Sequence, residues 1–102
     1  MTFRISIRAG AARDIEVARE WYEGEREGLG SAFLDEVEAA LERIGERPGG
    51  YAIAHGDARR ALVRRFPYTI YFRIRGDQVR ILAVIHQARD PRVWQRRVRE
   101  RG

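Results

Sequence analysis

The chain has no cysteine and no lysine, and only one methionine and three prolines among its 102 residues. Without cysteine it has neither a disulfide framework nor a thiolate metal site. Its histidines, His55 and His86, are too far apart and too isolated to read as zinc ligands. No carboxylate cluster is spaced for magnesium either, so no metal or other cofactor is expected. No apolar run approaches the roughly 20 residues that span a bilayer. Met1-Thr2-Phe3-Arg4-Ile5 also lacks the character of a signal peptide. The expected compartment is a reducing cytoplasm, with no membrane partner. With lysine absent, arginine carries all 20 basic side-chain charges, and guanidinium groups bind phosphate and carboxylate in a bidentate way.

Apolar residues at 44% and charged residues at 34% are ordinary for a folded protein and exclude a disordered one. The length fits one modest core, so a single domain over residues 1–102 is expected. Charge is polarised along the chain. Residues 1–50 hold 7 arginines against 11 acidic residues, a net of −4; residues 51–102 hold 13 against 4, a net of +9. A basic half points to an acidic protein partner or to nucleic acid, without choosing between them.

Phe3-Arg4-Ile5-Ser6-Ile7-Arg8 alternates apolar and polar residues, the two-residue period of a half-buried strand. From Ala11 the period changes. Ala11, Ile15, Ala18 and Tyr22 make one apolar stripe on a helix, with Arg13, Glu16, Glu20 and Glu23 toward solvent. Gly28-Leu29-Gly30 breaks the helix, and Ser31 suits the N-cap of a second one carrying Phe33, Val37, Leu41 and Ile44. So short a connection makes an antiparallel helical hairpin. Strands follow over Arg60–Phe66 and Tyr68–Ile74. In the second of these, Ile70, Phe72 and Ile74 face one way and Thr69, Tyr71 and Arg73 the other. Gly76-Asp77 fits a type II′ hairpin turn. Val79–His86 is almost continuously apolar, as in a central strand covered on both faces. Asp90-Pro91 then opens a short helix through Val93, Trp94 and Val98. The expected class is α+β, in the order β-α-α-β-β-β with a helical tail. The hairpin packs on one face of an antiparallel sheet, because its stripes have nowhere else to be buried.

In that order, several segments together resemble the RelE/ParE toxin superfamily, also known as plasmid stabilisation proteins. They are Ala12-Arg13-Asp14-Ile15, Trp21-Tyr22-Glu23, Gly28-Leu29-Gly30 with Phe33-Leu34 and Val37, and Pro48 with Tyr51. The strongest stretch runs from Arg59 through Phe66-Pro67-Tyr68 to Phe72, and continues in Val79–His86, Arg89-Asp90-Pro91 and Trp94. The resemblance covers nearly the whole chain. It implies a RelE/ParE-like fold and a bacterial type II toxin, neutralised by a cognate acidic antitoxin (ParD- or RelB-like) in a hetero-oligomer. The basic half of the chain would attract an acidic antitoxin tail.

The superfamily has two branches: toxins that cleave mRNA in the ribosome, and ParE-like toxins thought to act on DNA gyrase. Cleavage by 2′-OH attack needs a base, cations for the phosphate and an acid for the leaving oxygen. Arg60, Arg64, Arg65, Arg73 and Arg89 are available as cations, for phosphate or for binding a target or antitoxin. Trp94 joins them as a binding residue or as the anchor of the tail helix. In a nuclease, His86, Arg64, Arg73 and Arg89 would be the catalytic candidates. His86 at the end of the last strand is the best acid–base group, though a histidine there better suits a strand cap bonded to backbone. Where nuclease relatives place a C-terminal tyrosine this chain has Trp94, whose indole exchanges no proton near neutral pH. Tyr71, between apolar neighbours, reads as core, and Glu36, Glu38 and Glu42 read as solvated helix charges. The acid–base set is incomplete, so the reading leans to a non-enzymatic, gyrase-directed toxin. The alternatives are a ribosome-dependent, metal-independent endoribonuclease and a degenerate, non-toxic binding module.

Overall fold

A computed structural model of the protein describes residues 2–99. Its elements are β1 (Arg4–Ile7), α1 (Ala9–Glu25), α2 (Leu29–Glu46), a 3-10 turn (Pro48–Gly50), β2 (Ile53–His55), β3 (Ala58–Leu62), β4 (Tyr68–Arg75), β5 (Gln78–His86) and α3 (Pro91–Arg99). The α+β class and the order of elements follow the sequence reading, with three corrections.

The first is an extra strand. Strand β2 pairs antiparallel with β3 through a shifted register, and three residues are too few to show a two-residue period. The second concerns β1, which joins β5 in parallel, Ile5 opposite Val79 and Ile7 opposite Ile81. The sheet, in the order β1-β5-β4-β3-β2, is therefore mostly but not wholly antiparallel. Strand β5 is covered on both faces as its apolar run demands, but β4 holds the centre. The third is that β3 stops at Leu62 instead of Phe66. Pro67 offers no N–H to a ladder, the Tyr68 amide donates to the Phe66 carbonyl (2.8 Å), and Arg65 adopts φ 72°. That turn swings Phe66 into the core against Tyr22 (4.9 Å between centroids) and Phe33 (5.3 Å).

The helical hairpin covers one face of the sheet. Ala11, Ile15, Ala18 and Tyr22 from α1 and Phe33, Val37, Ala40 and Ile44 from α2 meet Ala61, Ile70, Phe72, Val79, Ile81 and Val84. Leu41 and Leu34 are only partly buried at the margin. Helix α2 starts at Leu29, ahead of Ser31, and its first N–H groups are met from across the hairpin. Glu23, expected to face solvent, accepts hydrogen bonds from the amides of Gly28 (3.0 Å) and Gly30 (3.0 Å). A side chain at Gly30 would strike the Arg19 carbonyl at 2.7 Å, so glycine there sets how closely the helices approach. In the β4–β5 turn, Gly76 takes φ +60° while Asp77 does not, as type II′ requires. Among the described residues no helix is long and apolar enough to cross a membrane.

The two amide donors hold the Glu23 carboxyl below the usual glutamate range. A group whose folded pKa is depressed contributes stability that is fully present above its unfolded value and lost as pH falls through the folded one. Comparing Glu23→Gln with the parent by urea melts at stepped pH should therefore show a constant stability gap above about pH 5. The gap should close as the medium falls below the ordinary carboxylate pKa of about 4.3. A gap independent of pH would mean that the charge contributes nothing.

Candidate binding surface

The second face of the sheet carries the alternate residues, and α3 covers only part of it. Register places Arg60 opposite Tyr71 and Leu62 opposite Thr69, with Ala83 and Ile85 beyond them on β5. The α3 side chains Val93, Trp94 and Val98 pack on Tyr71, Leu82, Ala83 and Ile85. Trp94 lies flat on Tyr71, 4.6 Å between centroids and 10° between planes, so the tail is anchored by an aromatic stack. The Asp90 carboxylate accepts the Arg92 amide (2.9 Å) and caps the helix, as Asp90-Pro91 foretold.

Two further side-chain clasps hold α3. Arg73 is only 7% exposed; its Nε donates to Asp57 Oδ1 (2.7 Å) and its Nη2 to the Val98 carbonyl (2.6 Å). Arg97 donates to both oxygens of Asp14 on α1 (2.9 and 3.2 Å), and Asp14 also accepts the Val84 amide (3.0 Å).

What α3 leaves open is a groove of about 640 Å³ over β3 and β4. Arg60, Leu62, Thr69 and Tyr71 form its floor, Tyr51 and Ala52 one wall, and Gln87, Pro91 and Trp94 the other. Leu62 is 61% exposed there, an apolar side chain with a cation two residues away on the same face. Around the end of β5 lies a smaller cleft of about 170 Å³. Arg13, Asp14, Val17, Tyr68, His86 and Arg89 line it. The Val17 of this lining is exposed, as is Trp21 one turn further along α1.

Thus Arg60 and Trp94 share the groove, while His86 and Arg89 share the cleft. Arg64 and Arg65 stand in the β3–β4 loop, Arg65 paired with Glu36 (3.6 Å) and lying over the Phe66 ring. Arg73 lies beneath the tail, in neither depression. Leu62 was missed as a surface residue, although its two-residue spacing from Arg60 already put it on the same face.

The acid–base groups are engaged. His86 Nδ1 accepts the Ala88 amide at 3.0 Å, which puts the neutral ring's proton on Nε2, and Tyr68 meets the ring edge-on at 5.1 Å. Acting as a base through Nε2 would require the other tautomer and loss of the Ala88 bond. Burial pushes the phenols of Tyr68 and Tyr71 upward, away from neutrality, with nearby Arg89 and Arg60 offsetting part of the effect.

The family profile described as "ParE toxin of type II toxin-antitoxin system, parDE" matches residues 5–91. The chain belongs to the ParE toxin family. It is thus a type II toxin of RelE/ParE kind. Solved structures share the fold of this ParE-family chain. The chromosomal ParDE system from P. aeruginosa aligns with TM-score 0.74 and 15% identity, over 83% of this chain and 96% of that one. A mutant of the E. coli toxin RelE in the free state gives 0.70 and 15%, over 97% of each chain. The RelBE2 toxin–antitoxin complex from Mycobacterium tuberculosis gives 0.60 and 21%, over 87% and 95%. At these identities the likeness concerns the fold. No curated protein matches the ParE-family sequence itself.

Proposed function

We propose that this ParE-family toxin acts in the bacterial cytoplasm by binding DNA gyrase, without cleaving RNA, and that an acidic, ParD-like antitoxin silences it by covering the groove over β3 and β4. The observation that carries the target is the engagement of the candidate proton-transfer groups. His86 Nδ1 caps the turn after β5, and Tyr71 is stacked against Trp94 with its phenol pushed upward by burial. Arginines alone stabilise a phosphate but move no proton at neutral pH.

The antitoxin half of the reading rests on the groove's chemistry. A segment that folds on binding must bury apolar surface to offset its ordering entropy, and exposed Leu62 with Trp94 offers that surface. Among the described residues Arg60, on the groove floor, has no carboxylate partner. An acidic tail supplies one and is drawn in faster by the charge. The toxin–antitoxin complex is then a hetero-oligomer.

The test is induced expression in a bacterium with and without a co-expressed candidate antitoxin, scored by viability, gyrase supercoiling and primer extension on mRNA. Expected are loss of supercoiling, uncut mRNA, unchanged toxicity in His86→Ala, and toxicity in Leu62→Asp that the antitoxin no longer relieves. Ribosome-dependent cuts that vanish in His86→Ala would replace this reading with the nuclease one. Harmless expression of the chain alone would mean a binding module.

A further inference from the structure

Helix α3 divides its side chains cleanly. Val93, Trp94 and Val98 pack on the sheet and Arg97 reaches Asp14, which uses up the inner side. The outer side is Arg92, Gln95, Arg96 and Arg99, lining a shallow depression of about 230 Å³ with no apolar member. Arg92 shares its charge with Asp90 (2.7 Å). Arg96 and Arg99 have no carboxylate partner among the described residues. Residues matched to the ParE family end at 91, so this face lies beyond what the family profile accounts for.

We infer that the outer face of α3 is a docking surface for the phosphate backbone of duplex DNA. Three features select this occupant. First, the face is purely polar. An acidic protein segment needs apolar burial to offset its ordering, and that is on offer at Leu62 and Trp94, on the opposite side of the tail. Second, the aromatic ring of α3 is turned inward against Tyr71, so no stacking platform exists for the splayed bases of a single strand. Third, planar guanidinium forks suit phosphate oxygens, and a glutamine between them adds a neutral donor. At 1.5 Å per residue, Arg92 to Arg99 span roughly 10 Å of helix axis, comparable with the rise along the duplex axis of about three phosphates of one strand.

A surface of this kind holds DNA without reading its sequence, since phosphate contacts position and only base contacts specify. It goes beyond the gyrase reading and stands or falls separately. A toxin that acts on gyrase would be retained near DNA by α3, and one that acts elsewhere would still bind a duplex.

The experiment is fluorescence anisotropy of a labelled duplex of about 20 base pairs titrated with the full chain over a salt series. Its variants are Arg96→Ala/Arg99→Ala and the charge-matched control Arg26→Ala/Arg47→Ala, each checked by thermal melting. Expected are sequence-independent binding of the parent and a loss of about tenfold or more in the α3 variant at low salt. The slope of log K against log salt should flatten by about two, one for each phosphate contact removed. The control should stay near parental affinity. Equal losses in both variants would overturn the inference, since net charge alone would then explain binding. So would tighter binding of single-stranded RNA than of the duplex, or equally effective competition by a poly-glutamate peptide.

Discussion

Val37→Asp is expected to leave the chain without a cooperative unfolding transition at room temperature. Val37 is 2% exposed in the middle of α2 and belongs to the cluster that joins the helical hairpin to Ile70, Phe72 and Ile81. A carboxylate there is either buried unpaired or protonated against its preference, and either way costs several kcal/mol. Stability of a small domain is only about 5–15 kcal/mol, so one such substitution removes much of it. Leu41→Asp, one turn along the same stripe, should cost distinctly less, because Leu41 is only partly buried and its replacement can turn to water. Urea melts followed by far-UV circular dichroism separate the two. An unchanged midpoint for Val37→Asp would contradict the packing described.

Arg73→Ala is expected to lower stability by about 2–4 kcal/mol, through loss of the tail clasp. The buried Val98 carbonyl loses its donor, which costs about 1–3 kcal/mol, and the packed stem of the arginine leaves a void. Asp57 is spared the worst of it, being half-exposed and still paired with Arg75 at 3.0 Å. In a chain of this size each kcal/mol shifts Tm by roughly 4–8 °C, so a fall of about 10 °C or more is expected. Amide exchange in α3 should accelerate at the same time. Arg60→Ala, on the open groove floor, should change stability by no more than about 0.5 kcal/mol. Toxicity lost in Arg73→Ala with a lower Tm is then a folding effect. Toxicity or antitoxin binding lost in Arg60→Ala with an unchanged Tm is a surface effect.

That contrast shows why arginine positions resist reading from sequence. Arg60, Arg73 and Arg96 are chemically identical in a lysine-free chain. One lies open on a groove, one is buried under the tail, and one faces outward from α3. Alternation along β4 correctly put Arg73 on the face opposite Phe72, but the cover over that face comes from α3, whose Val98 stands 25 residues further along the chain. Glu23 is a similar case. Its helical phase pointed to solvent, whereas the chain reversal at Gly28 brings the amides of Gly28 and Gly30 within reach.

Sequence periodicity by itself determined the helical hairpin, its buried stripes through Tyr22, Phe33, Val37 and Ile44, the β4–β5 hairpin with glycine at Gly76, and the capped start of α3. These are local: spacing, turn chemistry and capping act within a few residues. Only the tertiary structure decided that β1 joins β5 in parallel, that Ile53–His55 forms an edge strand, and that Phe66 leaves its strand for the core. It also decided which arginines stay free to meet a partner. Those outcomes depend on contacts between residues far apart in the chain, where the partner that claims a side chain is set by packing and not by its neighbours in sequence.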